Sequence, residues 1–302
     1  MNAVWSFWSK PYYSHYSSAW QSSKHHYLSW ILSLERSKKH FEKTFLYTDD
    51  LGKKMLVDEL GLKFDHVSTQ LNYLKHHDPE FWVLGKLYTY HYQKEPFVHI
   101  DNDVFLWKPL PGSVRKASVF FQNPEYFEFN GSDSYYQPDF IEKAVNEAGG
   151  WLPDEWEWYT QQKKGKGVCV GIIGGNNIEF IDYYSRQAIR MIEEPANQNA
   201  WRMIRERYGH RMTGHNLLFE QYLFSAIIDY HKQNSESKFP DLNIRYLFNS
   251  FEDAMLPQNS RDAGYTHLIG PAKRNKALME KLEERVKTDY SSLYRKCLQL
   301  IN

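Results

Sequence analysis

The run Phe97-Val98-His99-Ile100 is almost wholly apolar and stops abruptly at Asp101-Asn102-Asp103. A short apolar run cut off by charge reads as a strand buried on both faces, its end emerging from the core. In extended backbone, residues two apart point to the same side. Asp101 and Asp103 can therefore converge on one cation just past the strand end. Two carboxylates at the carboxyl edge of an α/β sheet make a seat for Mg²⁺ or Mn²⁺ holding phosphates. This points to a metal-dependent enzyme acting on a nucleotide or a phosphorylated substrate.

The preceding segments alternate in period. Strands are expected at 4–8, 44–48, 64–67 and 96–100. Helices are expected at 22–36, 51–60 and 79–92, the second closed by Gly61 and the third opened by Pro79. Such alternation predicts an α/β fold with a largely parallel sheet and ligands at the carboxyl ends of its strands. Asp49, Asp50, Asp101 and Asp103 all fall at such ends. Asp49-Asp50 either helps hold a base or ribose or caps the helix that follows. Further strands are expected at 118–122, 167–173, 244–248 and 265–269, and helices at 140–147, 178–193, 216–231 and 277–301. The stretch 151–167, rich in Trp, Gln, Lys and Gly, reads as an insertion or mobile loop. No linker composition interrupts the 302 residues, so one compact domain is expected.

Composition removes several classes. Lys and Arg total 37, as do Asp and Glu, so no global charge draws the chain to nucleic acid or membranes. Only Cys169 and Cys297 occur, which argues against a disulfide framework and for a reducing, cytoplasmic setting. The amino terminus lacks signal-peptide regions, and no run of about 18 apolar residues offers a membrane span. Phosphate-binding Gly-rich loops, zinc spacings and a Gly-x-Ser-x-Gly elbow are absent from the sequence. Aromatics reach 17%, fitting either a ring-rich core or surfaces for sugars and bases.

A second motif is His267-Leu268-Ile269-Gly270-Pro271-Ala272-Lys273. His267 can add an imidazole to the carboxylates, a set suited to Mn²⁺ or Mg²⁺. Gly270 permits close backbone approach, and Lys273 can set a point charge on a phosphate. The strand ending in Asp-x-Asp, followed near the carboxyl end by His-x-x-Gly-x-x-Lys, resembles the retaining nucleotide-sugar transferases of glycosyltransferase family eight and related bacterial glycan-synthesis transferases. The resemblance implies a GT-A type domain over 1–302, with a mostly parallel central sheet flanked by helices. Its parts would be a Rossmann-like nucleotide-binding half at 1–110, an acceptor and sugar half at 111–275 and a carboxyl-terminal helix at 276–302. It further implies Mn²⁺ (or Mg²⁺) on Asp101, Asp103 and His267, with Asn102 between the carboxylates and Gly270 and Lys273 at the donor diphosphate. Lys86 takes the place of a basic residue near the donor. Gly171 fits a strand beside the transferred sugar, where Cys169 replaces the family's Asn. Glu220-Gln221 matches a pair near the anomeric carbon.

The implied reaction is hexosyl transfer, with retention, from a nucleoside-diphosphate sugar, a UDP-sugar first, to a carbohydrate or lipid-linked acceptor. Nucleic acid is not an expected partner, and membrane contact is at most peripheral. The acceptor pocket is expected within 125–166, where Tyr126, Tyr135, Tyr136, Trp151, Trp156 and Trp158 cluster. Lys163-Lys164-Gly165-Lys166 is either a solvated loop or a lid over the diphosphate. The basic residues of the last helix are read as a packed helix's polar side, with an anionic membrane surface as the other reading. Two other functions remain open: a non-catalytic nucleotide-sugar-binding protein, and a phosphohydrolase, which would need a second metal site or a phosphorylatable Asp in a defined motif.

Overall fold

The computed structural model describes residues 1–16, 19–129, 131, 136–209 and 211–301. Strands β1 (Asn2–Phe7), β2 (Thr44–Thr48), β3 (His66–Ser68), β4 (Phe97–Ile100), β5 (Val104–Leu106), β6 (Val119–Tyr126), β7 (Lys166–Gly175), β8 (Ile244–Tyr246) and β9 (Tyr265–His267) follow in chain order. Seven of them form one sheet in the order β3-β2-β1-β4-β7-β6-β8, and β5 and β9 form a separate ribbon. The pairs β1–β2, β2–β3, β1–β4 and β6–β8 are parallel, while β7 runs antiparallel to both neighbours. The expected α/β class with a mostly parallel sheet is what the chain adopts.

Strand alternation builds two cores, one on each sheet face, interrupted in β7 by a register shift against β6 between Cys169 and Ile173. Ala3, Trp5, Phe7, Val98, Ile100 and Ile172 pack with the Ser23–Ser37 and Lys276–Asp289 helices. Val4, Phe97, Phe121, Val170 and Ile173 pack on the other side with the Leu84–His91, Ile178–Glu193 and Leu223–Gln233 helices. All four residues of β4 are buried, as its near-continuous apolar run requires.

Several expectations change. The helix expected from Pro79 begins at Leu84, because 78–83 is spent on turns anchored by Asp78 and Glu80. A 3-10 helix, Gln70–His76, precedes it. The stretch expected as a loop at 151–167 holds a helix, Asp154–Gln161, with Asp154, Glu155 and Glu157 in its first turn. The Asn197–Tyr208 helix was not anticipated, though Ala200, Trp201 and Ile204 carry helical spacing and are buried. The single carboxyl-terminal helix is two, Lys276–Asp289 and Ser291–Ile301, separated at Tyr290. Its first part buries Met279, Leu282 and Val286, consistent with a packed face. Among the described residues, no helix is long and apolar enough to cross a membrane.

Candidate functional site

The site is assembled where β4 ends. Asp101 N–H donates to Gly171 O at 3.0 Å, and Val104 N–H donates to Asp101 O at 3.0 Å, so the chain turns tightly through Asp101-Asn102-Asp103 into β5. The β5–β9 register sets Val104 opposite His267, and Leu268 N–H closes on Asp103 O at 3.0 Å. His267 therefore arrives beside Asp103 through a two-stranded ribbon rather than through the main sheet. One ligand atom from each of Asp101, Asp103 and His267 lies within 4.8 Å of the others.

The imidazole orientation is imposed from behind. Gln122 Oε1 accepts from Tyr265 Oη at 2.6 Å and lies 2.7 Å from His267 Nδ1; with the Gln122 amide in this orientation, Nδ1 carries the proton. His267 Nε2 then presents a lone pair 3.4 Å from Asp103 Oδ1. That oxygen is buried without a hydrogen-bond partner. Two lone pairs facing each other with no proton between them fit a shared cation, and carboxylate with imidazole is a donor set Mn²⁺ or Mg²⁺ accepts. Gly171 lies beneath the ring: a Cβ there would fall 2.5 Å from His267 Nδ1 and 2.6 Å from Gln122 Oε1.

Two lysines balance the carboxylates. Lys273 Nζ lies 2.6 Å from Asp103 Oδ2. Lys86 Nζ lies 2.8 Å from Asp101 Oδ1 and 3.0 Å from Glu220 Oε1. Burial pushes the Asp103 carboxyl up, but the Lys273 ammonium beside it outweighs this and holds it well below the usual range. At Asp101 burial prevails over Lys86, and with Asp103 nearby the carboxyl is raised. Burial, opposed by Lys86 and aided by Asp101, pushes Glu220 up to about 7. Burial also lowers Lys86, but Asp101 and Glu220 more than reverse it and keep the ammonium charged.

Beside these groups lies a cavity of about 320 Å³ whose walls include Phe7, Trp8, Tyr12, Trp20, Trp30 and Trp82, with Lys86, Asp101, Asn102, Asp103 and Lys273 at its polar end. Asn102 Nδ2 donates to Ser29 Oγ at 3.1 Å, which fixes the turn. Gly270 opens the Gly270–Arg274 turn at φ +49°, with open space where a side chain would be. A larger groove of about 570 Å³ around Phe105, Trp107 and Leu282 contains none of the expected site residues.

The chain belongs to the DUF6734 family. The model of that family, described as one of unknown function, matches residues 1–300. No curated protein matches. Among solved structures, the chain is similar to the galactosyltransferase LgtC in complex with donor and acceptor sugar analogues. That match covers 95% of this chain and 96% of LgtC at 11% identity, with a TM-score of 0.42.

In this DUF6734 chain, then, Lys86, Asp101, Asn102, Asp103, His267 and Lys273 come together, and Gly171 underlies them. Glu220 joins through Lys86 and is 1% exposed, not on a solvated helix side. Gln221, also buried, meets Tyr136 Oη instead. Asp49 is a cap: its Oδ1 accepts from Gly52 N–H at 2.7 Å and its Oδ2 from Ser9 Oγ at 2.7 Å. The aromatic expectation moves. Trp156 and Tyr136 are buried, Trp158 packs on Tyr230, and Arg190 lies 3.7 Å over the Trp151 ring; Tyr126 alone of the described five is strongly exposed. Tyr135 lies outside the described residues. Lys164 and Lys166 both pair with Asp229, which favours a tethered loop over a lid. Sequence reading missed Gln122, Tyr265 and the amino-terminal rings of the cavity. The density of Trp, Tyr and Phe between residues 5 and 30 was the available signal.

Proposed function

We propose that this protein is a divalent-metal-dependent glycosyltransferase using a nucleoside-diphosphate sugar, with a UDP-sugar and Mn²⁺ as the first choice. Transfer goes to a hydroxyl of a glycan or lipid-linked acceptor, with retention of configuration as the sequence resemblance implies. The observation that carries the reading is the convergence of Asp101, Asp103 and His267 beside a ring-walled cavity. Flat aromatic faces suit a nucleobase, and the cation seat lies at the cavity's polar end.

Charge supports an anionic ligand. Three carboxylates face two ammonium groups in this cluster. A divalent cation would turn that excess positive, which a diphosphate would neutralise. When bound, the cation would hold diphosphate oxygens and offset the charge that grows as the anomeric C–O bond breaks. Lys273 places a second positive charge on the same wall. Lys86 keeps Asp101 and Glu220 oriented. Gln122, through His267, holds the imidazole in its ligating tautomer. The phosphohydrolase alternative lacks its second cluster: among the described residues, Asp101, Asp103 and His267 are the one group of three metal-ligating side chains.

Release of UDP from UDP-glucose and UDP-galactose with Mn²⁺ tests the reading. Turnover should vanish with EDTA and fall by about 100-fold or more in Asp103→Asn. Metal-independent release, or release unaltered in the variant, would contradict it.

A further inference from the structure

The antiparallel β6–β7 pair runs past the end of β4 and carries a carboxylate that the mechanism above leaves unused. Because Asp101 N–H bonds Gly171 O, the β7 residues before Gly171 overhang the sheet on the side of the metal ligands. Alternate residues share a face. A Cβ at Gly171 would meet His267, and one at Gly167 would come within 3.1 Å of Tyr136 Oη; between them the Cys169 thiol lies beside the Glu125 carboxylate. The floor is therefore built of small residues, with about 7 Å of strand between successive positions Gly171 and Cys169.

Glu125 stands at the far end of this floor, opposite Gly167 on β6. Tyr136 Oη donates to Glu125 Oε2 at 2.7 Å and also lies against the amide of Gln221. Gln221 adjoins Glu220, and Glu220 leads through Lys86 to Asp101. Burial and the Glu125 carboxylate push the Cys169 thiol up, so it stays neutral. Every other carboxylate of the cluster is tied to a lysine. Glu125 forms no ion pair among the described residues and is partly exposed. A carboxylate oriented by a tyrosine, without a cation to neutralise it, is equipped to take a proton.

We propose that Glu125 is the proton acceptor for the acceptor hydroxyl, oriented by Tyr136, an assignment that rests on the glycosyltransferase reading. The acceptor oxygen bonds to the anomeric carbon on the same face that the diphosphate leaves, which retains the configuration, as its proton passes to the Glu125 carboxylate. The bond from that carbon to the diphosphate oxygen breaks, and its electron pair leaves with the diphosphate. Glu125 then returns the proton to solvent on its exposed side.

The test uses the full chain with UDP-glucose or UDP-galactose and Mn²⁺, and two nucleophiles: water, which must lose a proton, and azide, which has none to lose. Glu125→Gln should bind Mn²⁺–UDP as the wild type does. Its donor hydrolysis should fall by about 100-fold or more, while glycosyl azide forms at close to the wild-type rate. Tyr136→Phe should show a smaller loss of the same pattern. Hydrolysis at the wild-type rate in Glu125→Gln would overturn the assignment, as would equal losses with water and azide. A wild type that neither binds Mn²⁺–UDP nor turns over either donor would instead overturn the glycosyltransferase reading, and the assignment with it.

Discussion

At Gly171 the missing side chain is what the site uses, since a methyl group there would collide with both His267 and its partner Gln122. Gly171→Ala should weaken Mn²⁺ binding in the presence of UDP by about 10- to 100-fold through displacement of the ring. Titration calorimetry checks this, and an unchanged affinity would show that His267 is not a ligand. Lys86 is the other single residue on which much depends. Lys86→Met leaves Asp101 and Glu220 facing each other unpaired, and should cost about 3–5 kcal/mol in urea unfolding. A loss below about 1 kcal/mol, the range of exposed pairs, would contradict that view. Asp101 and Asp103 were legible as the acidic end of an apolar run and His267 through its motif, although a tight turn, not the alternation of an extended strand, brings the two carboxylates together. Gln122 was not, because its role arises from a contact across 145 residues.

Elements position these residues more than local preference does. β5 is only Val104–Leu106, too short to stand out beside the acidic turn, yet its pairing with β9 delivers His267. The strand at 265–269 was legible, but its partner was not, since register depends on both chains meeting. The helix within 151–167 was hidden by its Gln- and Lys-rich end, although its acidic first turn favours a helix start. Of the two readings the sequence leaves open for Asp49, the structure shows the helix cap, a carboxylate after an apolar strand and before a helix. It joins the Asp50–Lys53 turn to Ser9 at the end of β1. Asp49→Ala should cost about 1–2 kcal/mol, as cap losses do. Chemical denaturation checks this. A loss of donor binding with stability unchanged would instead favour the ribose-holding role.

For the whole molecule, the site is a charged seam between two apolar cores, and its buried groups write their charge into the pH dependence of stability. Glu220 moves from an ordinary 4.5 up to about 7 on folding. Between those values the folded chain keeps a proton that the unfolded chain releases, so this group's contribution falls as pH rises through the window. Glu220→Gln should therefore gain on the metal-free wild type from pH 4.5 to 7, by up to about 3 kcal/mol, and level off above. Burial and Lys273 push His26 down to about 3, so it acts oppositely, lowering stability as pH drops below 6.5. It is present in both proteins and cancels in the difference. A difference independent of pH would contradict the burial of Glu220. The α/β class and the cation seat were legible from the alternation of periods and the acidic strand end; the ring-walled cavity was not, since it needs residues from β1, two helices and the Lys273 turn. The central claim is that this cavity binds a nucleoside diphosphate through a metal on Asp101, Asp103 and His267. Thermal unfolding with UDP, GDP and ADP, each with and without Mn²⁺, measures it most directly. Stabilisation by at least one diphosphate that requires Mn²⁺ and disappears in Asp103→Ala is expected; stabilisation by none of them, or equal stabilisation in the variant, would contradict it.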